Sequence, residues 1–315
     1  MQIKWRAVVK GFLTFLPVLD RLGNRTTGGT ASARYCYSVW MRHLYSVSAV
    51  RGVFRPHCVA ELGPGDSLGI GLSAILSGVD SYYALDRKEH AFLKTNLSVL
   101  DELVELFRNR ASIPDDAEFP GVFPKLDCYE FPHKLLNEEW LDYCLAPERL
   151  ASIKRLLSGS SLPNEPITLR YFAPWDENAA IRPESVDWVF SQAVLEHVDE
   201  PKNAYQNLWK WLKPNGLMSH TIDYGSHGLA KKWDGHRTVG DFLWNIVRGR
   251  RPYLINRLSH SAHIEMMNAC RFEILAEFRI ADSYLSRRLL APRFRNLTAL
   301  DLSTRSAFVV AFKFP

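Results

Sequence analysis

The chain has 315 residues, of which 47% are hydrophobic and 23% are charged, and its formal net charge is +5. This composition is ordinary for a soluble globular protein and excludes a wholly disordered chain. The charge is uneven, because residues 1–60 hold nine Lys or Arg and one acid. A solvated surface is the simplest interpretation of a basic end, and an anionic membrane, substrate or nucleic acid is the alternative; no basic run interleaved with aromatic residues supports nucleic acid as a partner.

Five scattered cysteines argue against a disulfide framework and a zinc knuckle, because they are odd in number and form no CxxC pair. A reducing cytoplasm fits this pattern. The N-terminal apolar stretch "GFLTFLPVL" is shorter than the roughly 20 apolar residues that span a bilayer, and Asp20 follows it at once. We therefore predict an uncleaved segment packed on the domain, with peripheral contact to the inner membrane face through residues 1–25 as the alternative.

The first elements in chain order predict a βαβ unit. Residues 30–46 have apolar side chains at helical spacing. A strand at about 57–62 leads through a glycine-rich loop into a helix that ends near Leu76, and residues 81–86 form a second strand that ends on Asp86. Strand, glycine turn, helix and strand in this order are typical of a doubly wound α/β domain with a mainly parallel sheet.

After this unit the sequence predicts additional helices, and then strands and helices alternate again. Residues 89–165 contain two amphipathic segments around a proline-broken loop, and we interpret them as a helical insertion that covers the sheet. Strands are predicted at 167–174 and 186–198, followed by a helix that ends at Pro214 and Gly216. A strand "LMSHTIDY" comes next, and "FEILAEFRIA" and "SAFVVAFKF" suit antiparallel pairing at one sheet edge.

The glycine-rich loop "ELGPGDS" raises the question of which ligand it holds. A dinucleotide fingerprint, GxGxxG, would need a third glycine where this chain has Leu68, and Asp66 would repel the phosphates. S-adenosylmethionine (SAM) carries an ammonium, a sulfonium and a single carboxylate, so acidic groups around the loop favour it. Glu61 would then attract the cationic end, and Asp86 would accept hydrogen bonds from the ribose hydroxyls.

Four motifs in order carry a family resemblance. They are "ELGPGD", "YYALD", "VDWVFSQAVLEHV" and "WLKPNGLMSHTID", at residues 61–66, 82–86, 186–198 and 211–223. In this combination the chain resembles the class I SAM-dependent methyltransferases, and in particular the small-molecule branch that includes the ubiquinone-type enzymes. The resemblance covers about residues 55–225 outside the insertion.

This resemblance implies an α/β fold: a Rossmann-like, doubly wound, mainly parallel seven-stranded sheet with an antiparallel edge strand, plus N-terminal helices and the insertion. Residues 1–54 would form an N-terminal helical segment that covers the cofactor site. Residues 55–315 would form the SAM-binding domain, with the helical insertion at about 89–165.

The resemblance also assigns the cofactor contacts. Residues 61–67 would line the methionine end and the start of the helix, 86–87 the ribose and adenine, 172–175 the adenine, and 191–193 the sulfonium. His197, inside "LEHV", would orient its loop. The predicted contact residues are Glu61, Gly63, Pro64, Gly65, Asp66, Ser67, Asp86, Arg87, Ala173, Trp175, Ser191, Gln192 and Ala193.

Candidate catalytic residues follow the fifth strand of the predicted core. Methyl transfer needs alignment of the reactants, and an oxygen acceptor also needs a base to remove its proton. The segment "SHTIDYGSHG" offers His220 or His227 as that base, with Asp223 orienting it. Structural histidines are the simplest alternative. The pattern H-x-x-D-x-x-x-H contains acceptable metal ligands but matches no established spacing, so we predict no metal.

The predicted function is SAM-dependent methyl transfer to a hydroxyl of a small molecule, a glycan or a lipid-linked intermediate. A non-catalytic SAM-binding module and an NAD(P)-dependent oxidoreductase are the alternatives. An RNA methyltransferase would share the cofactor half, but no aromatic stacking platform for single strands is recognisable. The sequence leaves open whether oxygen, nitrogen or carbon is methylated, and how many copies associate.

Overall fold

The computed structural model describes residues 2–15, 29–89, 91, 93–175, 181–251 and 254–314. Helices and strands alternate along most of the chain. In chain order they are α1 (Trp5–Leu13), α2 (Ala33–Arg51), β1 (Cys58–Leu62), α3 (Gly69–Ile75), β2 (Ser81–Leu85), α4 (Leu93–Arg108), α5 (Glu138–Cys144), α6 (Pro147–Leu157), β3 (Thr168–Phe172), β4 (Val186–Gln192), α7 (Pro201–Trp211), β5 (Leu212–Asp223), α8 (Asp241–Arg248), α9 (His260–Ala269), β6 (Phe272–Ala281), α10 (Ala299–Ser303) and β7 (Thr304–Lys313).

Seven strands form one sheet in the order β3-β2-β1-β4-β5-β7-β6. The first five are parallel, and β7 runs antiparallel to both β5 and β6. The predicted Rossmann-like α/β fold is therefore confirmed. In detail, the antiparallel strand β7 lies inside the sheet, and the outermost strand on that side is β6. Strand order reverses between β1 and β4, and ligands of open α/β sheets bind at the carboxyl ends of the strands at such a point.

The boundary between α7 and β5 differs from the sequence prediction. The helix ends at Trp211, and the strand begins at Leu212, so Pro214 and Gly216 lie inside β5 rather than at a helix end. The ladder between β4 and β5 shifts register between Val186 and Trp188. A proline is tolerated at such an irregularity, because its missing N–H is not needed for a ladder hydrogen bond.

Helix α2 is more deeply buried than its predicted apolar face requires. Its N-terminus is capped by Ser32, and it extends to Arg51, beyond the predicted end at residue 46. Trp40 packs on Trp188 of β4 with ring centroids 4.9 Å apart. On another side, the buried Arg42 donates to backbone carbonyls of residues 114–124, which ties the insertion to this helix.

The insertion supplies α4, α5 and α6, which contribute to the same hydrophobic core as α2 and α3. Helices α7 and α9 contribute to a second core that includes the opposite face of the sheet. The N-terminal helix α1 packs on α8. Within the described residues, no helix is long and apolar enough to cross a bilayer. Residues 16–25 of the predicted membrane-contacting segment lie outside the described residues.

Candidate cofactor and catalytic site

The glycine loop after β1 adopts a backbone that requires glycine. Gly63 has φ +65° and Gly65 has φ +76°, a region that other residues rarely adopt. A Cβ built on Gly63 would lie 2.6 Å from Cγ2 of Val194, the second residue after β4. The Gly63 N–H donates to the carbonyl of Leu85 at the end of β2 (2.8 Å). The loop is therefore held against two strand ends, with room only for backbone.

The start of α3 is bonded to protein groups rather than open to a ligand. The Leu68 N–H donates to Oδ1 of Asn96 (2.8 Å), and the Gly69 N–H donates to Oγ of Ser67 (3.0 Å). The Ser67 hydroxyl in turn donates to the carbonyl of Thr30. Ser67 is fully buried. It therefore anchors the N-terminal segment to the loop, which differs from its predicted place at the cofactor.

Glu61 lies beneath the loop and is almost completely buried. Its Oε2 accepts a hydrogen bond from the Tyr82 hydroxyl (2.5 Å), and burial raises the pKa of its carboxyl to about 8. A carboxyl with this pKa is mostly neutral at pH 7. The sequence predicted that Glu61 attracts the cationic end of SAM. In the structure its carboxyl lies in the protein interior, where it links β1 to β2 through the Tyr82 hydroxyl.

A cavity of about 450 Å³ opens at the carboxyl ends of β1, β2, β3 and β4. Four of the predicted cofactor residues line it, namely Gly63, Asp86, Arg87 and Trp175. Pro64, Gly65, Asp66 and Ala173 lie beside these wall residues in the chain and are not among the lining residues. The full lining is Gly63, Leu85, Asp86, Arg87, Pro174, Trp175, Val194, His197, Val198, Asp199, Glu200, Asn203, Ala204 and Asn207.

Asp86 is held at the cavity by its own backbone. Its N–H donates to the carbonyl of Phe172 (2.9 Å), and its carbonyl accepts from the N–H of Trp175 (2.8 Å). One carboxylate oxygen accepts from the Arg87 N–H (2.7 Å). The segment after β3 is thereby fixed beside the end of β2. The acidic residues Asp176 and Glu177, which follow Trp175 in the sequence, lie outside the described residues.

The end of β4 places its three predicted residues away from the cavity wall. Ser191 is fully buried, with Oγ 2.8 Å from Nδ1 of His220. The Gln192 amide donates to the carbonyl of Phe123 (3.2 Å), and its oxygen is 3.1 Å from Nε2 of His43. Ala193 has φ +54°, a strained conformation for a residue with a Cβ. It turns the chain so that the next residues, rather than residues 191–193, reach the cavity.

The candidate base His220 lies in the protein core, fully buried on β5. Burial lowers the pKa of its imidazole to about 3, and it is not among the residues that line the cavity. The parallel register explains this location, because His220 is the β5 partner of Ser191 on β4. The structure thus separates His220 from the other two predicted catalytic residues, Asp223 and His227.

Asp223 and His227 are close to each other and to two residues that the sequence analysis did not assign to catalysis. The Nε2 of His227 lies 3.4 Å from Oδ2 of Asp223 and 3.8 Å from Oε1 of Glu196. The ring of His197, on the cavity wall, is 4.8 Å from the His227 ring. We call Glu196, His197, Asp223 and His227 the carboxylate–histidine cluster. It joins the end of β4 to the loop after β5.

Glu196 is the most unusual member of this cluster. Its side chain is 97% buried, and neither carboxylate oxygen has a hydrogen-bond partner among the described residues. Burial raises the pKa of this carboxyl well above its usual value. Asn256 fixes the turn that carries it by donating to the carbonyls of Leu195 (2.8 Å) and Val198 (2.9 Å). A buried polar group without a partner costs folding free energy, and such groups concentrate at functional sites.

The cluster also bears on the metal hypothesis. Ligand atoms of Glu196, His197 and His227 lie within 4.8 Å of one another, so these side chains could hold an ion. The set His220, Asp223 and His227 suggested by the spacing does not form, because His220 is in the core. Sequence reasoning missed Glu196, although "LEHV" contained the signal: an acid beside a histidine in the turn after a strand.

One family model matches part of this chain. The family model described as "Methyltransferase domain" matches residues 141–219, which include β3, β4 and α7. This match supports a SAM-dependent methyltransferase of the Rossmann-like class, with SAM as its cofactor. A search of curated proteins returned no match.

Solved structures with a similar arrangement are distant from this chain in sequence. An S-adenosylmethionine-dependent methyltransferase from Mesorhizobium loti has 11% identity and a TM-score of 0.42, and the alignment covers 85% of this chain and 96% of that one. A SAM-dependent methyltransferase from Methanosarcina mazei has 14% identity and a TM-score of 0.43, with 83% and 94% covered. Phosphoethanolamine N-methyltransferase 2 from Haemonchus contortus, in complex with SAM, has 14% identity and a TM-score of 0.45, with 97% and 61% covered.

Proposed function

We propose that the protein transfers a methyl group from SAM to a hydroxyl of a small-molecule or glycan acceptor. The observation that carries this proposal is the position of the carboxylate–histidine cluster. It lies directly beside the cavity at the sheet's switch point, and His197 belongs to both. A binding module would not need a partly exposed histidine held against two carboxylates at this place.

The residues at the cavity fit SAM. The glycine loop leaves a backbone cradle that a Cβ at Gly63 would fill, and the carboxylate of Asp86 lies on the wall, where ribose hydroxyls would find an acceptor. Arg87 and Trp175 supply flat surfaces for adenine. When bound, SAM supplies a methyl carbon activated by the sulfonium. The order of motifs around β4 and β5 supports the small-molecule branch of the family.

His227 is the residue that would remove the acceptor's proton. It is not among the residues that line the cavity, but its side chain is 28% exposed and its ring lies 4.8 Å from that of His197 on the cavity wall, so a substrate hydroxyl would reach it past His197, unlike the fully buried His220. Asp223 lies against Nε2 and would hold the tautomer that carries a proton there, which leaves Nδ1 to accept the proton from the hydroxyl. A positioned base of this kind contributes about 10²–10⁴-fold to the rate.

The test is an acceptor screen with methyl-labelled SAM, followed by two variants. We expect transfer to hydroxylated small molecules or saccharides, and His227→Ala should lower kcat by at least about 10²-fold while the Kd for SAM stays near the wild-type value. Asp223→Asn should lower kcat less, because it acts through the histidine.

His57→Ala is the matched control, because His57 is also exposed and paired with a carboxylate, with Nδ1 3.1 Å from Oδ2 of Asp80, and it is not among the residues that line the cavity. Transfer only to protein or RNA, or full turnover in His227→Ala, would overturn the proposal. Loss of activity with a chelator, restored by a divalent ion, would replace the base by a metal held by Glu196, His197 and His227.

A further inference from the structure

Helix α1 presents two sides of opposite character. Ala7 and Gly11, four residues apart, are buried against α8. A Cβ at Gly11 would collide with the backbone carbonyls of Ile246 and Val247. This close approach fixes which side of α1 faces the protein, and therefore which side faces outward.

The outward side is apolar. Trp5, Val9 and Phe12 follow one another at i, i+4 and i+7, which places them on one face of the helix. They are 65%, 44% and 58% exposed, and Phe15 beyond the helix end is 46% exposed. Single exposed apolar side chains need no explanation, but a continuous exposed stripe marks an interaction site.

Cations border this stripe. Lys4, Arg6 and Lys10 are all exposed, and residues 2–15 contain no Asp or Glu. The Arg250 guanidinium, from the chain after α8, lies 5.9 Å from the centre of the Phe15 ring. At 100° per residue, Arg6 and Lys10 fall on one border of the stripe and Lys4 on the other. Long cationic side chains in such places can keep their charge in the lipid headgroups while the apolar face enters the bilayer.

We propose that α1 lies in the surface of an anionic membrane, with Trp5, Val9 and Phe12 inserted and Lys4, Arg6 and Lys10 on the headgroups. An apolar face with aromatic residues and a cationic border is typical of helices that lie on a bilayer without crossing it. Anionic headgroups attract such cations. This inference is independent of the proposed methyl transfer, because it involves neither the cavity nor the cluster.

A protein partner fits the stripe less well. Nine residues of α-helix are about 13 Å long, and one face of such a helix is much smaller than the roughly 800 Å² that each partner contributes to a stable complex. Lysine is also depleted at protein interfaces. A short helix can bind a membrane surface without a large contact area, because anionic headgroups also attract the cations that flank its apolar face.

The experiment is flotation of the full-length protein with vesicles of phosphatidylcholine alone and of phosphatidylcholine mixed with phosphatidylglycerol. We expect binding to the anionic vesicles, weakened by added salt. Trp5→Ala with Phe12→Ala should weaken binding at least tenfold, because two inserted aromatic rings are lost. Replacing Lys4, Arg6 and Lys10 by Gln should weaken it about a hundredfold.

Leu162→Ala is the control, because Leu162 is exposed to a similar degree (56%) and lies in the loop after α6. Each variant should keep the wild-type melting temperature, since the replaced side chains do not support the core. Absence of wild-type binding to anionic vesicles, or binding that the Trp5/Phe12 double variant retains in full, would overturn the proposal. Concentration-dependent dimerisation that this double variant abolishes, without vesicle binding, would assign the stripe to a second copy of the chain.

Discussion

The cofactor side of the cavity is positioned mainly by backbone, whereas the β4–β5 side is positioned by side chains from distant parts of the sequence. On the first side, Gly63 and Asp86 are fixed by hydrogen bonds between strand ends. On the second side, Glu196, Asp223 and His227 come from two segments that meet only because β4 and β5 are neighbours. A site of the first kind can be recognised in a short motif, and a site of the second kind requires the fold.

The two sides also differ in whether their buried carboxyl group has a hydrogen-bond partner. On the cofactor side, the buried carboxyl of Glu61 has a hydroxyl partner in Tyr82. In the cluster, the buried carboxyl of Glu196 has no hydrogen-bond partner among the described residues. The hydrogen bond between Glu61 and Tyr82 stabilises the loop. The carboxylate oxygens of Glu196 remain able to form hydrogen bonds beside the cavity. We therefore expect changes on the first side to affect stability and cofactor affinity, and changes in the cluster to affect turnover.

The largest expected change in stability tests the glycine loop. Gly63→Ala should lower the free energy of unfolding by about 2–4 kcal/mol, because it adds a strained φ and a clash with Val194. Thermal or denaturant unfolding measures this, and the Kd for SAM should rise in parallel.

Gly159→Ala separates the two causes. Gly159 has nearly the same φ, +68°, but a Cβ there would meet nothing within 4 Å. In this control the free energy of unfolding should fall only by the cost of placing a Cβ on a left-handed backbone, about 1–2 kcal/mol. Equal losses in both variants would contradict the close packing of the loop against the end of β4.

A smaller effect concerns the pH dependence of stability through Glu61. Its pKa in the folded protein is about 8, above its ordinary value of 4.5. The folded state therefore retains a proton that the unfolded state releases between these values, so stability from this group is fully present below pH 4.5 and falls as pH rises to about 8. Glu61→Gln should remove this decline, so its gain in the free energy of unfolding over the wild type should be several-fold larger at pH 8 than at pH 5.

Unfolding curves at pH 5 and pH 8 measure the difference. Glu105→Gln is the matched control, because Glu105 is exposed on α4 and pairs with its helical neighbour Arg108. The control should show the wild-type pH dependence. A Glu61→Gln variant with the wild-type slope would show that the buried carboxyl is already ionised in the folded protein.

The sequence was sufficient for the fold and for part of the cavity wall. Glycine spacing, strand patterning and an acid at a strand end are local features, so the βαβ unit, Gly63 and Asp86 could be placed before any contact was known. The first and last residues of the helices and strands were less predictable. Helix α2 continues past its predicted end to Arg51, and two of its polar residues are buried: Arg42 against the insertion and His43 against the sheet.

Residues whose role depends on a distant partner could not be predicted in this way. The position of Ser67 in the sequence indicates the start of a helix that binds a phosphate or a carboxylate. In the structure its hydroxyl instead donates to the carbonyl of Thr30. His220 and His227 are seven residues apart in one motif, yet one lies inside the sheet and the other in the loop beyond it. Residues 216–222 of β5 are buried on both faces of the sheet, so His220 is covered, whereas His227 lies beyond the strand end at Asp223.

SAM is the proposed ligand of the cavity beside Asp86, and calorimetric titration tests this most directly. The purified protein and its Asp86→Ala variant would be titrated with SAM, S-adenosylhomocysteine and NADH. We expect micromolar binding of SAM and S-adenosylhomocysteine, at least about tenfold weaker in the variant because charged hydrogen bonds to the ribose are lost, and no binding of NADH. Binding of NADH alone, or affinity for SAM that Asp86→Ala leaves unchanged, would contradict the account.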